Sequence, residues 1–159
     1  KETCENSTVE FNLATATFQS TSVNFDAGTV SGWNQHYTQV NYVMYLRGSK
    51  VAARDYLQTY DLSTKLFTEL AILLPDEATN LGCISSVGNT LFMLGGRRIS
   101  PENALVTYTV DTQVWTTSGL PTLNTARLYV SCMVNSVTNL LYVIGGCHNT
   151  PCTANDVNN

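Results

Sequence analysis

The chain has 159 residues, a formal net charge of −4 and a pI of about 4.9, with 43% hydrophobic and 13% charged residues. Its acidic balance argues against nucleic acid as a partner. No apolar run approaches the ~18 residues of a membrane-spanning helix, so no membrane insertion is expected. The length is sufficient to bury a hydrophobic core.

Aromatic pairs seven residues apart recur along the chain at a nearly constant period. They are Phe11 and Phe18, Tyr60 and Phe67, and Tyr108 and Trp115. The copies start at positions 11, 60 and 108, and apolar runs that end in glycine recur in phase with them at 43–48, 91–96 and 141–146. Self-similarity at a fixed period of this size indicates a repeat architecture.

Each period predicts four short strands and little helix, because no stretch sustains a 3.6-residue apolar period. The glycines that end the apolar runs are expected to supply positive φ or a close backbone approach. A tight turn with Asn12, Asp61 or Asp111 separates the third and fourth strands, and Phe67 and Trp115 are expected to be largely buried between neighbouring units. The predicted strands lie near 7–12, 43–47, 56–60, 91–95, 105–109, 129–134 and 141–145, and no strand is placed in residues 20–42.

A glycine pair that closes an apolar strand, followed by a tyrosine and then by a tryptophan or phenylalanine seven residues later, resembles the kelch repeat. The resemblance is strongest from Leu91 to Gly146, and Arg47 replaces the first glycine of its copy. It implies an all-β fold, a kelch-like β-propeller segment of about three four-stranded blades, similar to the central domain of galactose oxidase. The whole chain, 1–159, is then one kelch-like repeat region, which consists of a half blade (1–20), two blades (29–70 and 82–118), a half blade (128–146) and the start of a further strand (147–159).

Three blades are too few to close a ring, since propellers usually have ~4–8. We therefore expect the open sheet edges to be completed by copies of the same chain or by the rest of a longer chain, through strand addition.

Two of the five cysteines, Cys83 and Cys132, lie in apolar segments of successive repeats that are predicted to be strands. Equivalent positions in different repeats are not expected to bond each other, so both are predicted to be buried free thiols. Asn6 begins a glycosylation acceptor triplet, which is expected to lie in a loop.

Cys147 and Cys152 flank a short loop and are predicted to form a disulfide, with Cys4 of a neighbouring chain as the second choice of partner for Cys147. Such a bond indicates an extracellular or secreted protein, and the cytoplasm is the alternative if every cysteine is free. A zinc site at Cys147, His148 and Cys152 competes with the disulfide but lacks a fourth ligand.

Six of the eight cations are predicted to share one loop face of this acidic protein. They are Arg47, Lys50, Arg54, Arg97, Arg98 and Arg127. Arginine presents a planar fork that suits carboxylate, sulfate or phosphate, so this face predicts binding of an acidic protein or an anionic glycan. The competing interpretation is that loops carry charges simply because strands are apolar.

The sequence contains no G-x-S-x-G, H-E-x-x-H or P-loop pattern, and no cofactor is implied. The pattern favours a non-catalytic binding or assembly module that contacts protein or glycan. One alternative is the structural protomer of an extracellular fibre or filament. Another is the shell of a propeller oxidase whose active site lies elsewhere.

Overall fold

The computed structural model describes residues 8–21, 37–49, 55–73, 75, 82–96 and 103–148. These residues form twelve β-strands and no helix, and hence no helical segment capable of crossing a membrane. The strands are β1 (Thr8–Asn12), β2 (Thr17–Thr21), β3 (Tyr37–Val40), β4 (Val43–Ser49), β5 (Asp55–Asp61), β6 (Leu66–Leu73), β7 (Cys83–Val87), β8 (Thr90–Leu94), β9 (Leu105–Thr109), β10 (Val114–Thr116), β11 (Ser131–Asn135) and β12 (Leu140–Ile144).

The strands form four antiparallel sheets, each made of strands that follow one another in the chain. Sheet I is the hairpin β1-β2, sheet II is β3-β4-β5-β6, sheet III is β7-β8-β9-β10, and sheet IV is the hairpin β11-β12. The all-β prediction and the seven predicted strands are confirmed. Of the five further strands, β2, β6, β7 and β10 follow from the predicted period of four strands, whereas β3 lies in residues 20–42, where the sequence placed none, and pairs with β4 at the edge of sheet II.

Sheets I, II and III share one hairpin geometry, which establishes the correspondence of their strands. The aromatic pairs of the repeat lie directly opposite each other on adjacent strands: Phe11 with Phe18, Tyr60 with Phe67, and Tyr108 with Trp115. The residue before each returning strand has positive φ, at Ala16, Lys65 and Gln113. β1 and β2 therefore correspond to the third and fourth strands of sheets II and III, whereas β11 and β12 correspond to the first and second.

The turns between third and fourth strands differ in one respect from the prediction. Asp61 Oδ1 accepts hydrogen bonds from the main-chain N–H groups of Ser63 and Thr64, as expected for a turn aspartate. In sheet III the corresponding position is Thr109, whose carbonyl accepts from Gln113 at 2.8 Å, as that of Asp61 does from Lys65. Asp111 instead accepts a 2.6 Å hydrogen bond from the Asn89 side chain, so it ties this turn to the neighbouring β7-β8 turn.

The first strands of sheets II, III and IV lie side by side, with β7 between β3 and β11. Thr38 Oγ1 and Ser86 Oγ are hydrogen-bonded at 2.7 Å, and Ser86 Oγ donates to the carbonyl of Gln39 at 3.0 Å. On the other side, Ser85 Oγ accepts from the main-chain N–H of Val134 at 2.9 Å. Two successive serines of β7 thus connect it to both neighbouring sheets.

The hydrophobic core lies between neighbouring sheets, and both of the sheet faces that meet there are apolar. Sheet II contributes Val40, Tyr45 and Leu57 to a cluster with sheet III. The contribution of sheet III to this cluster is Ile84, Leu91, Met93, Val106 and Tyr108. The opposite side of sheet III packs against sheet IV through a second cluster, which includes Cys83, Leu94, Val130, Cys132 and Val143.

The aromatic pairs are buried unequally. Tyr60 and Tyr108 are 5% and 1% exposed, whereas their partners Phe67 and Trp115 are only half-buried. The ring centroids lie 4.4 Å apart in the first pair and 4.8 Å apart in the second. Phe67 and Trp115 were predicted to be largely buried, but they are only half-buried. Each lies on the edge strand of its sheet and packs against its tyrosine, so part of its own surface stays exposed.

The predicted free thiols of Cys83 and Cys132 are also wrong, because these two residues form a disulfide between β7 and β11, with Cα atoms 5.7 Å apart. In sheet register Cys83 pairs with Leu94 and Cys132 with Val143. These pairs lie on the two sides that face each other across the junction of sheets III and IV. Because β7 and β11 lie close together and their cysteines face each other, a disulfide can form. The spacing of the repeats along the sequence does not reveal this proximity.

Candidate binding site at the glycine ends of the second strands

β8 and β12 both end in a glycine pair with positive φ. The angles are 65° at Gly95 and 112° at Gly96, and 71° at Gly145 and 86° at Gly146. L-residues with side chains rarely adopt such angles, whereas glycine does so at little cost. The prediction that the glycines at the ends of the apolar runs supply positive φ is confirmed at these four positions, whereas Gly48, which ends the first run, is a paired residue within β4.

The connection from β10 to β11 passes directly over these glycines. Gly96 donates its main-chain N–H to the carbonyl of Arg127 at 2.9 Å. A Cβ placed on Gly95 would lie 2.7 Å from that same carbonyl oxygen, and one on Gly146 would lie 2.9 Å from the carbonyl oxygen of Leu128. Both glycines are thus needed for close approach, since a Cβ at either position would clash with main-chain atoms.

A two-way main-chain bridge fixes the same connection to the chain after β12. Leu128 and Cys147 exchange N–H···O hydrogen bonds of 2.9 Å in both directions, and both residues are buried. Cys147 is itself disulfide-bonded, and its partner is not among the described residues. The predicted pairing with Cys152 therefore stays a prediction, while the zinc alternative loses the Cys147 thiolate that it requires.

Arg127 is the one predicted binding residue whose side chain lies in the described part of the chain. It is half-buried, and its Nη1 donates to the carbonyl of Gly145 at 3.3 Å. Its own carbonyl is bonded to Gly96, the residue that precedes Arg97. Arg127 therefore lies at the end of the sheets from which the β8-β9 connection, with Arg97 and Arg98, departs; we call this the arginine end.

The placement of Arg47 in a loop is wrong. Arg47 belongs to β4, where its Cα is paired with Leu57 of β5, and the strand continues through Gly48 to Ser49. Arg47 therefore takes the strand position of Leu94 in sheet III, whose partner also lies three residues before the tyrosine of its aromatic pair. The strand pairing shifts this copy of the repeat by one residue relative to the alignment on its glycines, and the shift places Arg47 inside the sheet.

The remaining predicted site residues lie outside the described residues. These are Lys50, Arg54, Arg97 and Arg98 of the cation set, Cys152 and Cys4 as disulfide partners, and Asn6 as a glycosylation acceptor. Across the ranges that the structure describes, no three His, Cys, Asp or Glu residues are grouped so that they could hold a metal ion.

The positions of the cations in the sequence do not predict the contact between Arg127 and Gly96. The contact depends on the glycine pair, and the sequence signal for it is the recurrence of Gly-Gly after an apolar strand.

The sequence matches no protein-family model and no curated protein. Within the described residues, fold and site together define an all-β arrangement of similar antiparallel sheets, in which the connection that carries Arg127 crosses the glycine ends of the second strands.

Proposed function

We propose that this chain is a kelch-like β-propeller segment that acts as a non-catalytic binding module, with an acidic partner held at the arginine end. Sheets II and III are its complete blades, and sheets I and IV are half blades. Supporting this arrangement are the side-by-side first strands β3, β7 and β11 and the face-to-face packing of successive sheets.

The observation that carries the binding proposal is the 2.9 Å hydrogen bond from Gly96 to the carbonyl of Arg127. It brings a residue of the β10-β11 connection next to the segment that continues into Arg97 and Arg98. Arg127 is therefore next to the residue after which the chain continues into Arg97 and Arg98. A guanidinium offers planar N–H donors that match carboxylate and sulfate groups.

The bond from Arg127 Nη1 to Gly145 supports the same proposal because it orients the guanidinium over the end of β12. A side chain that is already oriented loses less conformational freedom when a ligand binds. The main chain of Arg127 is fixed as well, through Gly96. The whole chain carries a net negative charge, so it has no general attraction for anions. Anion binding would therefore be specific to the arginine end.

The test measures binding of two probes, a poly-glutamate peptide and a heparin oligosaccharide, to Arg127→Glu and to the Arg97→Glu/Arg98→Glu double variant. We expect both variants to weaken at least one probe tenfold or more, and the affinity of the unaltered chain to fall with salt because exposed charges are screened over ~8 Å at physiological ionic strength. The two probes distinguish a peptide partner from a glycan partner.

Lys65→Glu is the matched control for charge. Lys65 lies in the β5-β6 turn, at the opposite end of its sheet from the connections that follow second strands, and already has positive φ. Its reversal should leave the affinity within twofold. Failure of both probes to bind, or an equal loss in Lys65→Glu, would rule out the arginine end as the binding site.

We further propose a secreted or extracellular location. The Cys83–Cys132 disulfide is compatible with it, since such bonds persist in oxidising compartments. Peptide mapping without reductant on protein recovered from a secretory host should find this bond, and finding both thiols free would return the assignment to the cytoplasm.

A further inference from the structure

Tyr129 has an unusual backbone conformation for a residue with a large side chain. Its φ is 59°, in the left-handed region that bulky residues rarely adopt. Tyr129 lies in the connection between β10 and β11, and it is the only aromatic residue with positive φ among those that the structure describes. The other non-glycine residues with positive φ in the described ranges all lie in hairpin turns: Ala16, Asn41, Lys65, Gln113 and Asn139.

Contacts on both sides of Tyr129 hold the backbone in this conformation. Leu128 exchanges main-chain hydrogen bonds of 2.9 Å with Cys147. Val130 packs against the glycine ends, since a Cβ placed on Gly146 would lie 2.5 Å from a Val130 methyl carbon. The chain therefore bends at Tyr129 between two anchored residues.

The side chain of Tyr129 is presented to solvent. It is 47% exposed, whereas its neighbours Leu128 and Val130 are both 0% exposed. Glycine or asparagine would adopt this φ at a lower cost than tyrosine. A strained position that carries a large, exposed side chain points to a role in binding rather than in folding.

Tyr129 belongs to the same fixed segment as Arg127, two residues earlier in the chain. Arg127 Nη1 donates to the carbonyl of Gly145 at 3.3 Å, so the guanidinium lies over the end of β12. The bridge before Tyr129 and the first β11-β12 pair after it share one register, in which Tyr129 lies across from Gly146. The aromatic residue and the cation are thus both held at the end of β12, which is part of the arginine end.

We propose that Tyr129 and Arg127 form a glycan subsite, in which a sugar ring stacks on Tyr129 and its sulfate or carboxylate group binds the Arg127 guanidinium. This inference rests on the proposed function and narrows its partner to an anionic glycan. A sugar ring has a face of C–H groups, and the negative face of an aromatic ring attracts their positive hydrogens. The planar guanidinium matches the oxygen atoms of sulfate and carboxylate groups.

An anionic glycan suits this pair better than an acidic peptide does. A glutamate side chain offers a charge on a flexible stem, but it has no rigid ring that could stack on Tyr129. In a sulfated or uronic sugar the ring and the anionic group are joined at a fixed, short distance. Tyr129 and Arg127 are also held in place, by the main-chain bonds of their segment, so little conformational freedom is lost on binding.

Affinities for a heparin oligosaccharide and a poly-glutamate peptide test the proposal in the unaltered chain and in Tyr129→Ala. We expect Tyr129→Ala to weaken heparin binding by about tenfold, because it removes the stacking surface. Its affinity for poly-glutamate should stay within about twofold, because Arg127 is retained. Tyr129→Phe keeps the ring and should bind heparin within about twofold of the unaltered chain.

Tyr129→Gly separates recognition from folding. Glycine adopts positive φ without strain, so this variant should melt no lower than Tyr129→Ala, and it should lose as much affinity for heparin. It also replaces Tyr129→Ala in the assay if that variant does not fold.

Tyr42→Ala is the matched control for the loss of an exposed tyrosine. Tyr42 is 74% exposed in the β3-β4 turn, and its carbonyl accepts a 2.8 Å hydrogen bond from Leu62 of the β5-β6 turn. These turns lie at the end of sheet II opposite to the connections that follow second strands. The affinity of Tyr42→Ala for both probes should therefore equal that of the unaltered chain.

The outcomes distinguish this inference from the proposed binding site. Three results would overturn the glycan subsite alone, provided that Arg127→Glu still weakens the probe that binds: unchanged heparin affinity without the Tyr129 ring, an equal loss in Tyr42→Ala, or binding of poly-glutamate without heparin. An equal loss of both probes in Tyr129→Ala would also overturn it, because stacking predicts a loss for the glycan only. Binding of neither probe by the unaltered chain would overturn the subsite and the binding site together.

Discussion

Asp61 shows how one carboxylate defines a turn. Its Oδ1 accepts from the Ser63 hydroxyl at 2.5 Å and from the main-chain N–H groups of Ser63 and Thr64 at 2.7 and 3.0 Å. These bonds, that of the Ser63 hydroxyl foremost, hold the pKa of Asp61 below its usual 3.8. Asn135 caps the β11-β12 turn in the same way with a neutral amide oxygen, which accepts from Val137 and Thr138.

The lowered pKa of Asp61 predicts an acid-dependent loss of stability. Because the folded pKa lies below the unfolded one, the stabilisation is fully present above about pH 3.8 and is lost as the pH falls through the folded pKa. Asp61→Asn keeps an acceptor but does not titrate. Urea melts at pH 6 and pH 3 should therefore show a larger loss for the unaltered chain than for the variant, and equal losses would contradict the assignment.

A glycine pair provides the second residue-scale prediction. Gly95→Ala should destabilise the fold by about 2–3 kcal/mol, because it combines positive φ with a clash against the carbonyl of Arg127. Gly88→Ala is the control, since Gly88 also has positive φ but a Cβ added there would meet no atom within 4 Å; its cost should be about 1 kcal/mol. Thermal melts of the two variants separate the cost of the clash from the cost of the positive φ. Equal losses of stability would show that the clash with the Arg127 carbonyl contributes nothing.

At the scale of elements, the repeated motifs predicted strands well and their surroundings poorly. The aromatic pairs indicated adjacent strands correctly, because cross-strand neighbours and a short turn are local in sequence. The disulfide between β7 and β11 was missed because it depends on how two sheets face each other. Arg47 was placed in a loop because the repeats were aligned on their glycines, whereas the strand pairing shifts its copy by one residue.

The Cys83–Cys132 disulfide closes a loop with a sequence separation of 49 residues between neighbouring sheets. Chain-entropy arguments give a loop of this length about 4 kcal/mol of stabilisation, although engineered bonds often deliver less. The Cys83→Ser/Cys132→Ser variant should therefore lose about 2–4 kcal/mol in urea melts under oxidising conditions. Adding a reductant should lower the urea midpoint of the unaltered chain, because it breaks this disulfide. The variant lacks the bond, so the reductant should not cause this loss in it. A variant with the same midpoint as the unaltered chain under oxidising conditions would show that the bond contributes nothing.

On the scale of the whole molecule, the arginine end and the exposed apolar residues of sheet IV differ in how far the sequence could predict them. The cation set was visible as composition, but the place of Arg127 next to Gly96 required the path of the β10-β11 connection. The sequence shows that apolar residues occupy every position of β12, but it does not show that Leu140, Tyr142 and Ile144 are the exposed ones.

The disulfide between β7 and β11 also determines how the chain would respond to mechanical force. Residues between Cys83 and Cys132 lie inside a covalent loop, so a pull applied outside it bypasses them even after their strands separate. At ~3.3–3.6 Å per extended residue, the separation of 49 residues withholds about 170 Å of contour length. Under tension, sheet III would remain tethered to β11 while sheet II is free to extend, and a reductant would release the withheld length in a single step.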